Sequence, residues 1–182
     1  PAMPVAARAG LIDGPAARIA AALARDLPAP TRRLARDLGD WLDALAQDGP
    51  AFGPCHGDGH HENAMIDGQG AVRFYDFDDA ARGWRAYDLA TFIWGCFRLT
   101  QGAQVWHAFI RGYGAVRPLS QREVDRIRPF LAIRQIWWLG YNAEGEMTDA
   151  LRARLIDGLA FLPRLAEEVD IAAVIARDRV PA

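Results

Sequence analysis

The residues that could do chemistry crowd into one stretch, His56-Gly57-Asp58-Gly59-His60-His61-Glu62-Asn63, followed after a short interval by Phe74-Tyr75-Asp76-Phe77-Asp78-Asp79. Phosphoryl transfer explains this grouping. It needs a carboxylate to take the proton of an attacking hydroxyl, and two oxygen ligands to hold Mg²⁺ against phosphates. Asp58 and Asn63 are five positions apart, so one loop can present a base and a metal-binding amide together. Between the two segments, Asp67-Gly68-Gln69-Gly70 is a strong hairpin turn, and a strand returning antiparallel would bring Asp76 back beside Asn63. Mg²⁺ suits such sparse oxygen ligation because it keeps waters and substrate phosphates as its other ligands. A rival reading makes His56, Asp58, His60 and His61 ligands of a transition metal in a hydrolase, which alternating His and Asp also suit. Only His107, in an apolar helical setting, remains to complete such a site.

The elements that must position this cluster are mostly helices. Pro15 opens an Ala-rich helix to about Leu27, with Asp13 and Gly14 as caps, and Pro28 and Pro30 end it. Thr31 is the expected N-cap of a second helix to about Gln47, with Leu34, Leu38, Trp41, Leu42 and Leu45 on one face. Phe52–Cys55 reads as a short strand, 56–62 as a loop, and Asn63–Ile66 with Val72–Tyr75 as the hairpin. Helices follow over about 86–98 and 102–114. A third starts at Ser120, where Ser120-x-x-Glu123 is a capping box, and Pro129 should break or kink it before 130–143. The last helix spans Thr148 to about Val169, with Pro163 as a kink or break. Tryptophans 84, 94, 106, 137 and 138 crowd the helical half as core. Any that line a cleft could stack on a sugar or cradle a cation.

With the segment Gly83-Trp84-Arg85-Ala86-Tyr87-Asp88-Leu89-Ala90 added, the motifs HGDGHHEN and YDFDD resemble those of the aminoglycoside phosphotransferase and choline kinase-like family, closely over residues 50–100. The H-x-D-x-x-x-x-N spacing, a hairpin and then an aspartate are also those of the kinase catalytic loop and its metal aspartate. The resemblance implies an α+β, mainly helical fold, that of the C-terminal lobe of a protein-kinase-like phosphotransferase with a small catalytic β-hairpin. It maps Asp58 to the catalytic base and Asn63 and Asp76 to the Mg²⁺ ligands. His56 and His60 would brace the loop, and Asp88 would accept hydrogen bonds from loop amides. Asp78, Asp79 and, in a polar stretch between helices, Glu144 are candidates to face a cationic substrate, whereas His61 and Glu62 should be solvent-exposed. Gly59 departs from the family, which usually has an apolar residue there. The implied activity is transfer of a γ-phosphoryl group from ATP or GTP to a hydroxyl of a small metabolite or antibiotic. Residues 1–182 then form one lobe: leading helices over 1–49, the catalytic loop and hairpin over 50–80, and a helical substrate-side subdomain over 85–170.

What such a lobe lacks is equally legible. All 21 cationic side chains are arginine, a usage a GC-rich genome would give, so no lysine can pair with nucleotide phosphates. No Gly-x-Gly-x-x-Gly precedes His56, and the residues before it read mostly as helices. The N-terminal ATP lobe is therefore expected to be absent. The chain reads as a fragment inactive alone, as half of a split kinase, or as a degenerate binding module without catalysis. Its start, Pro1-Ala2-Met3-Pro4, is not a natural initiation. The surface that such a lobe would cover should be apolar and promote self-association. A net charge of −2 and a pI near 6.1 exclude the basic footprint of a nucleic-acid binder. No run is long and apolar enough for a membrane span. Cys55 and Cys96, both in apolar settings, fit a reducing cytoplasm rather than a disulfide framework.

Overall fold

The computed structural model describes residues 3–47 and 49–168, side chains 164–168 excepted. The chain is mainly helical with two small antiparallel sheets. It divides into two compact units, Pro1–Val5 with Gln47–Leu131, and Ala6–Ala46 with Ala132–Ala182.

In the second unit a π-helical turn, Ala9–Asp13, leads into α1 (Gly14–Leu23). This helix stops at Ala24, which takes a left-handed conformation at φ 51°, several residues before the prolines expected to end it. Pro28 and Pro30 instead start α2 (Ala29–Ala44), Pro28 as the extended N-cap residue and Pro30 in the first turn, where a missing N–H costs nothing. Thr31 is therefore not a cap. It lies inside the helix, buried, and its hydroxyl has no hydrogen-bond partner. α2 packs on α6 (Asp149–Glu168), and Leu38, Trp41, Leu42, Leu139, Leu155 and Leu162 supply large buried side chains, each contributing about 1.5–3 kcal/mol. Thr148 caps α6 through Leu151 N–H (3.2 Å), and Pro163 is accommodated inside it. Val169, where that helix was expected to end, lies outside the described residues.

The first unit holds the sheets. β1 (Phe52–Cys55) pairs antiparallel with β4 (Ala81–Trp84), Phe52 opposite Trp84 and Cys55 opposite Ala81. The N-terminal segment joins β4 through a parallel bridge at Val5 and an Arg82 N–H to Pro4 carbonyl bond of 2.7 Å. β2 (Ala64–Ile66) and β3 (Val72–Phe74) form the hairpin. Asp67 accepts from the amides of Gln69 and Ala71 in its turn, at 3.0 and 2.9 Å. α3 (Arg85–Cys96) leaves β4 without a linker and packs on β1 and on α4 (Gly102–Val116), where Phe92 and Phe109 stack 3.7 Å apart. α5 (Gln121–Asn142) passes through Pro129 unbroken, and Phe130 meets Trp84 and Tyr87. Among the described residues no helix is long and apolar enough to cross a membrane.

The capping box at the start of α5 is reciprocal: Glu123 N–H donates to Ser120 Oγ (3.3 Å), and Ser120 N–H donates to Glu123 Oε2 (3.2 Å). Arg117 also donates to Glu123 and, at 2.8 Å, to the Pro50 carbonyl. Burial alone would raise the Glu123 pKa, but the bonds from Arg117 and Ser120 outweigh it, and the carboxyl sits below its ordinary 4.5. A depressed folded-state pKa stabilises above the unfolded value and is lost as pH falls through the folded one. Glu123→Gln is thus expected to lower stability at pH 7 by about 1–3 kcal/mol and to flatten its decline below pH 4.5. Urea denaturation at several pH values checks this. A wild-type pH slope in the variant would remove Glu123 from the account.

Candidate active site

The 56–63 loop starts where β1 ends and is pinned by the first turn of α3. Asp88 Oδ2 accepts from His56 N–H at 2.8 Å and Oδ1 from Gly57 N–H at 2.9 Å. Burial pushes the Asp88 pKa up, and the two amide bonds pull the other way. Gly57 sits at φ 84°, and a β-carbon there would lie 2.1 Å from the Asp79 carbonyl oxygen. Only glycine lets the 76–79 segment close onto this loop. His56 Nε2 lies 3.0 Å from the Tyr75 carbonyl, and its ring packs 4.2 Å from the Phe77 ring. His56 thereby ties the loop to the end of β3.

Within the loop the buried Asn63 donates through Nδ2 to the Asp58 carbonyl at 2.9 Å and to Asp58 Oδ2 at 3.2 Å. His60 Nε2 lies 3.5 Å from Asp58 Oδ1, on the other side of the carboxylate. Tyr75 N–H donates to the Asn63 carbonyl (3.1 Å), extending the β2–β3 ladder by one rung. Asp76 follows immediately, exposed and at φ 63°, a left-handed conformation rare for a residue with a side chain. The hairpin's open end therefore presents a buried amide and an exposed carboxylate. With Asn63 Nδ2 turned to Asp58, its Oδ1 is turned away, so both groups can offer oxygen. Hard oxygen donors in that number fit Mg²⁺.

The transition-metal arrangement has no such support. His56 faces the Tyr75 carbonyl, His60 faces Asp58, and His107 lies on the α3–α4 wall of a cavity. Among the described residues no three His, Cys, Asp or Glu side chains are arranged so that they could hold a metal ion. Asp78 and Asp79 are exposed beside Asp76. Glu144 belongs to the other unit, where Arg18 pairs with it at 3.0 Å. Glu62 is half exposed and contacts Arg98 at 3.4 Å. His61 departs from expectation: it is partly buried, and burial lowers its pKa.

Sequence reasoning overlooked the two glycines that set these distances. Gly57 allows the approach of Asp79. Gly95, in the last turn of α3, allows the helix to meet the loop, since a β-carbon there would lie 3.0 Å from His60 Cβ and 3.1 Å from His61 Nδ1. Gly59 is buried with His56 Cβ 3.4 Å from a would-be β-carbon, an ordinary contact, so an apolar side chain could begin there. Beyond Gly95, a cavity of about 370 Å³ opens between α3 and α4, lined in part by Ile93, Cys96, Phe97, Leu99 and Trp106.

The model of the phosphotransferase enzyme family matches residues 7–130. An uncharacterised protein of Deinococcus radiodurans is 38% identical over 122 residues, 65% of this chain and 35% of that protein. An uncharacterised Synechocystis protein is 28% identical over 96 residues, 53% of this chain and 27% of its own length. The chain thus spans about a third or less of these curated relatives. Among solved structures, an amicoumacin kinase in complex with AMP-PNP and Ca²⁺ superposes with a TM-score of 0.65 at 19% identity, over 76% of this chain and 46% of that one. A choline/ethanolamine kinase family protein from Mesorhizobium loti gives 0.64 at 20%, over 90% and 57%. A microcompartment-associated aminopropanol kinase gives 0.65 at 20%, over 84% and 46%. At these identities the likeness is one of fold.

Proposed function

The chain belongs to the phosphotransferase enzyme family, and from that premise we propose that it carries the catalytic residues of a small-molecule O-phosphotransferase that moves the γ-phosphoryl group of ATP or GTP to an acceptor hydroxyl. The observation that carries this reading is the held carboxylate of Asp58, with Asn63 on one oxygen and His60 beside the other. In this role Asp58 takes the proton of the acceptor hydroxyl as its oxygen attacks the γ-phosphorus. Asn63 and Asp76 would hold Mg²⁺, which when bound offsets charge on the phosphates. Asp88 and His56 keep the loop in register with the hairpin. Both compact units belong, in this reading, to one C-terminal lobe. The nucleotide-gripping lobe lies outside these residues, since no lysine is present for it.

The exposed apolar side chains of the hairpin and its exit, Met65, Ile66, Val72, Phe74 and Phe77, are consistent with a face that such a lobe and its nucleotide cover. The cavity beyond Gly95 is our candidate for binding the acceptor. Two free, buried cysteines accord with a reducing cytoplasm.

The test is Asp76→Ala. Removing a charged metal ligand is expected to weaken Mg²⁺-nucleotide binding by tenfold or more, about 1.4 kcal/mol, while nucleotide binding without Mg²⁺ stays as it was. Calorimetric titration in a form of the protein that includes its nucleotide lobe reads both. Equal Mg²⁺-nucleotide affinity in variant and wild type would remove Asp76 from the metal site.

A further inference from the structure

We propose that His60 is a positioning residue for Asp58: its imidazole, locked as the Nε2–H tautomer by the Glu62 backbone amide, points a donor at Asp58 Oδ1 and holds the carboxylate in place. The inference rests on the phosphotransfer reading for its catalytic consequence, but not for its geometry.

His60 Nδ1 lies 3.2 Å from the Glu62 backbone nitrogen, whose N–H donates to it. An amide N–H can only donate, so Nδ1 must offer a lone pair, and the neutral ring then carries its hydrogen on Nε2. That nitrogen is the one facing Asp58 Oδ1 at 3.5 Å, with both side chains mostly buried. The separation is at the outer limit of a hydrogen bond, as catalytic contacts often are before substrate tightens them. The Glu62 carboxylate lies 3.8 Å from the same Nδ1 and would favour the opposite tautomer, but it also contacts Arg98 at 3.4 Å and is half exposed. Asn63 already holds Oδ2, so a donor on Oδ1 completes a two-sided clamp that fixes the carboxylate's rotation. Gly95 supports this place, since a β-carbon there would lie 3.0 Å from His60 Cβ and 3.1 Å from His61 Nδ1, and the two histidines would have to give by a few tenths of an ångström. The clamp is thus built from α3, the backbone after His60, and Asn63, which explains why a half-buried loop carries a histidine two residues from its aspartate.

Long-range ¹H–¹⁵N correlation spectra of the ¹⁵N-labelled 182-residue chain test the tautomer directly, with His60→Gln assigning the signal by its loss. The expected result is a protonated Nε2 and an unprotonated Nδ1, with the Nε2 resonance moving on Asp58→Asn. A protonated Nδ1 with a bare Nε2, or an Nε2 indifferent to Asp58→Asn, overturns the proposal. In a form that transfers phosphate, His60→Leu keeps bulk but removes the donor and should lower kcat about 10–100-fold, leaving KM for nucleotide in place. His60→Gln, whose amide nitrogen can reach the position of Nε2, should restore most of that loss. Equal losses in both variants would make His60 a packing residue and end the positioning role. If the wild-type protein transfers phosphate to no acceptor, the phosphotransfer reading fails, and the spectra still decide the clamp.

Discussion

Asp58→Asn is expected to lower kcat by about 10²–10⁴-fold, the range that a positioned general base contributes, while nucleotide affinity stays near that of the wild type. The substitution is isosteric. Asn63 keeps its 2.9 Å bond to the residue 58 carbonyl, and the new amide oxygen can still accept the second bond from Asn63. The loop, pinned separately by Asp88, has no reason to move. What disappears is the carboxylate that takes the acceptor's proton as the hydroxyl attacks, together with the oxygen that faces His60 Nε2. Loss confined to kcat, with kcat/KM falling in parallel, is the signature of an interaction made in the transition state alone. Steady-state kinetics with the acceptor varied, beside calorimetric nucleotide binding, separate the two effects. A variant with near-normal turnover would mean that Asp58 is not the base, and one that loses nucleotide binding as well would place it in the metal site.

The fold class and the grouping of the candidate site residues were legible in the sequence, for a physical reason. The proposed phosphoryl transfer needs few side-chain types at close spacing, and the candidates at 56, 58, 63 and 76 stand in two short segments joined by a turn whose glycines and aspartate declare it. The capping box at Ser120 and Glu123 was legible in the same way, since both partners lie within one helical turn. The β1–β4 pairing was not. Its four-residue strands carry a glycine each and a proline, and the bonds that define it join residues far apart along the chain. Pro28 and Pro30 misled by position. Pro30 falls in the first turn of α2, where its fixed φ is an asset, whereas Pro129 and Pro163 lie inside helices, where about 3 kcal/mol of cost is offset by packing that sequence pattern does not reveal. Phe130, Leu131 and Ile133, directly after Pro129, are all buried. The end of α1 gave no sign because an alanine, not a glycine, takes the left-handed position at residue 24. Gly57 and Gly95 were unremarked because a glycine declares freedom, not which neighbour needs the space.

Asp88→Ala is expected to destabilise the first unit by about 2–6 kcal/mol, because it leaves two part-buried amides without an acceptor at about 1–3 kcal/mol each. Both carboxylate oxygens are engaged, one on His56 N–H and one on Gly57 N–H, and the side chain arises from the first turn of α3, so no shift of the loop alone can recover both bonds. Asp88→Asn sharpens the test. Its single carbonyl oxygen can serve one amide, but its NH₂ then faces the other N–H, donor against donor, so the conservative substitution should cost more than half as much as the alanine. Gly57 confines the escape further: it is held against the Asp79 carbonyl at φ 84°, and the loop cannot rotate its amide outward without parting from the hairpin exit that carries Asp76. Loss of the Asp88 bonds is therefore expected to reach the site as well as the fold, separating Asp58 and Asn63 from Asp76. Urea denaturation followed by tryptophan fluorescence measures the first effect, with Trp84 and Trp94 both buried in this unit, and the Mg²⁺ dependence of nucleotide binding measures the second. Midpoints equal to wild type in both variants would show that water replaces the carboxylate at no cost, and α3 would then be a neighbour of the loop and not its anchor.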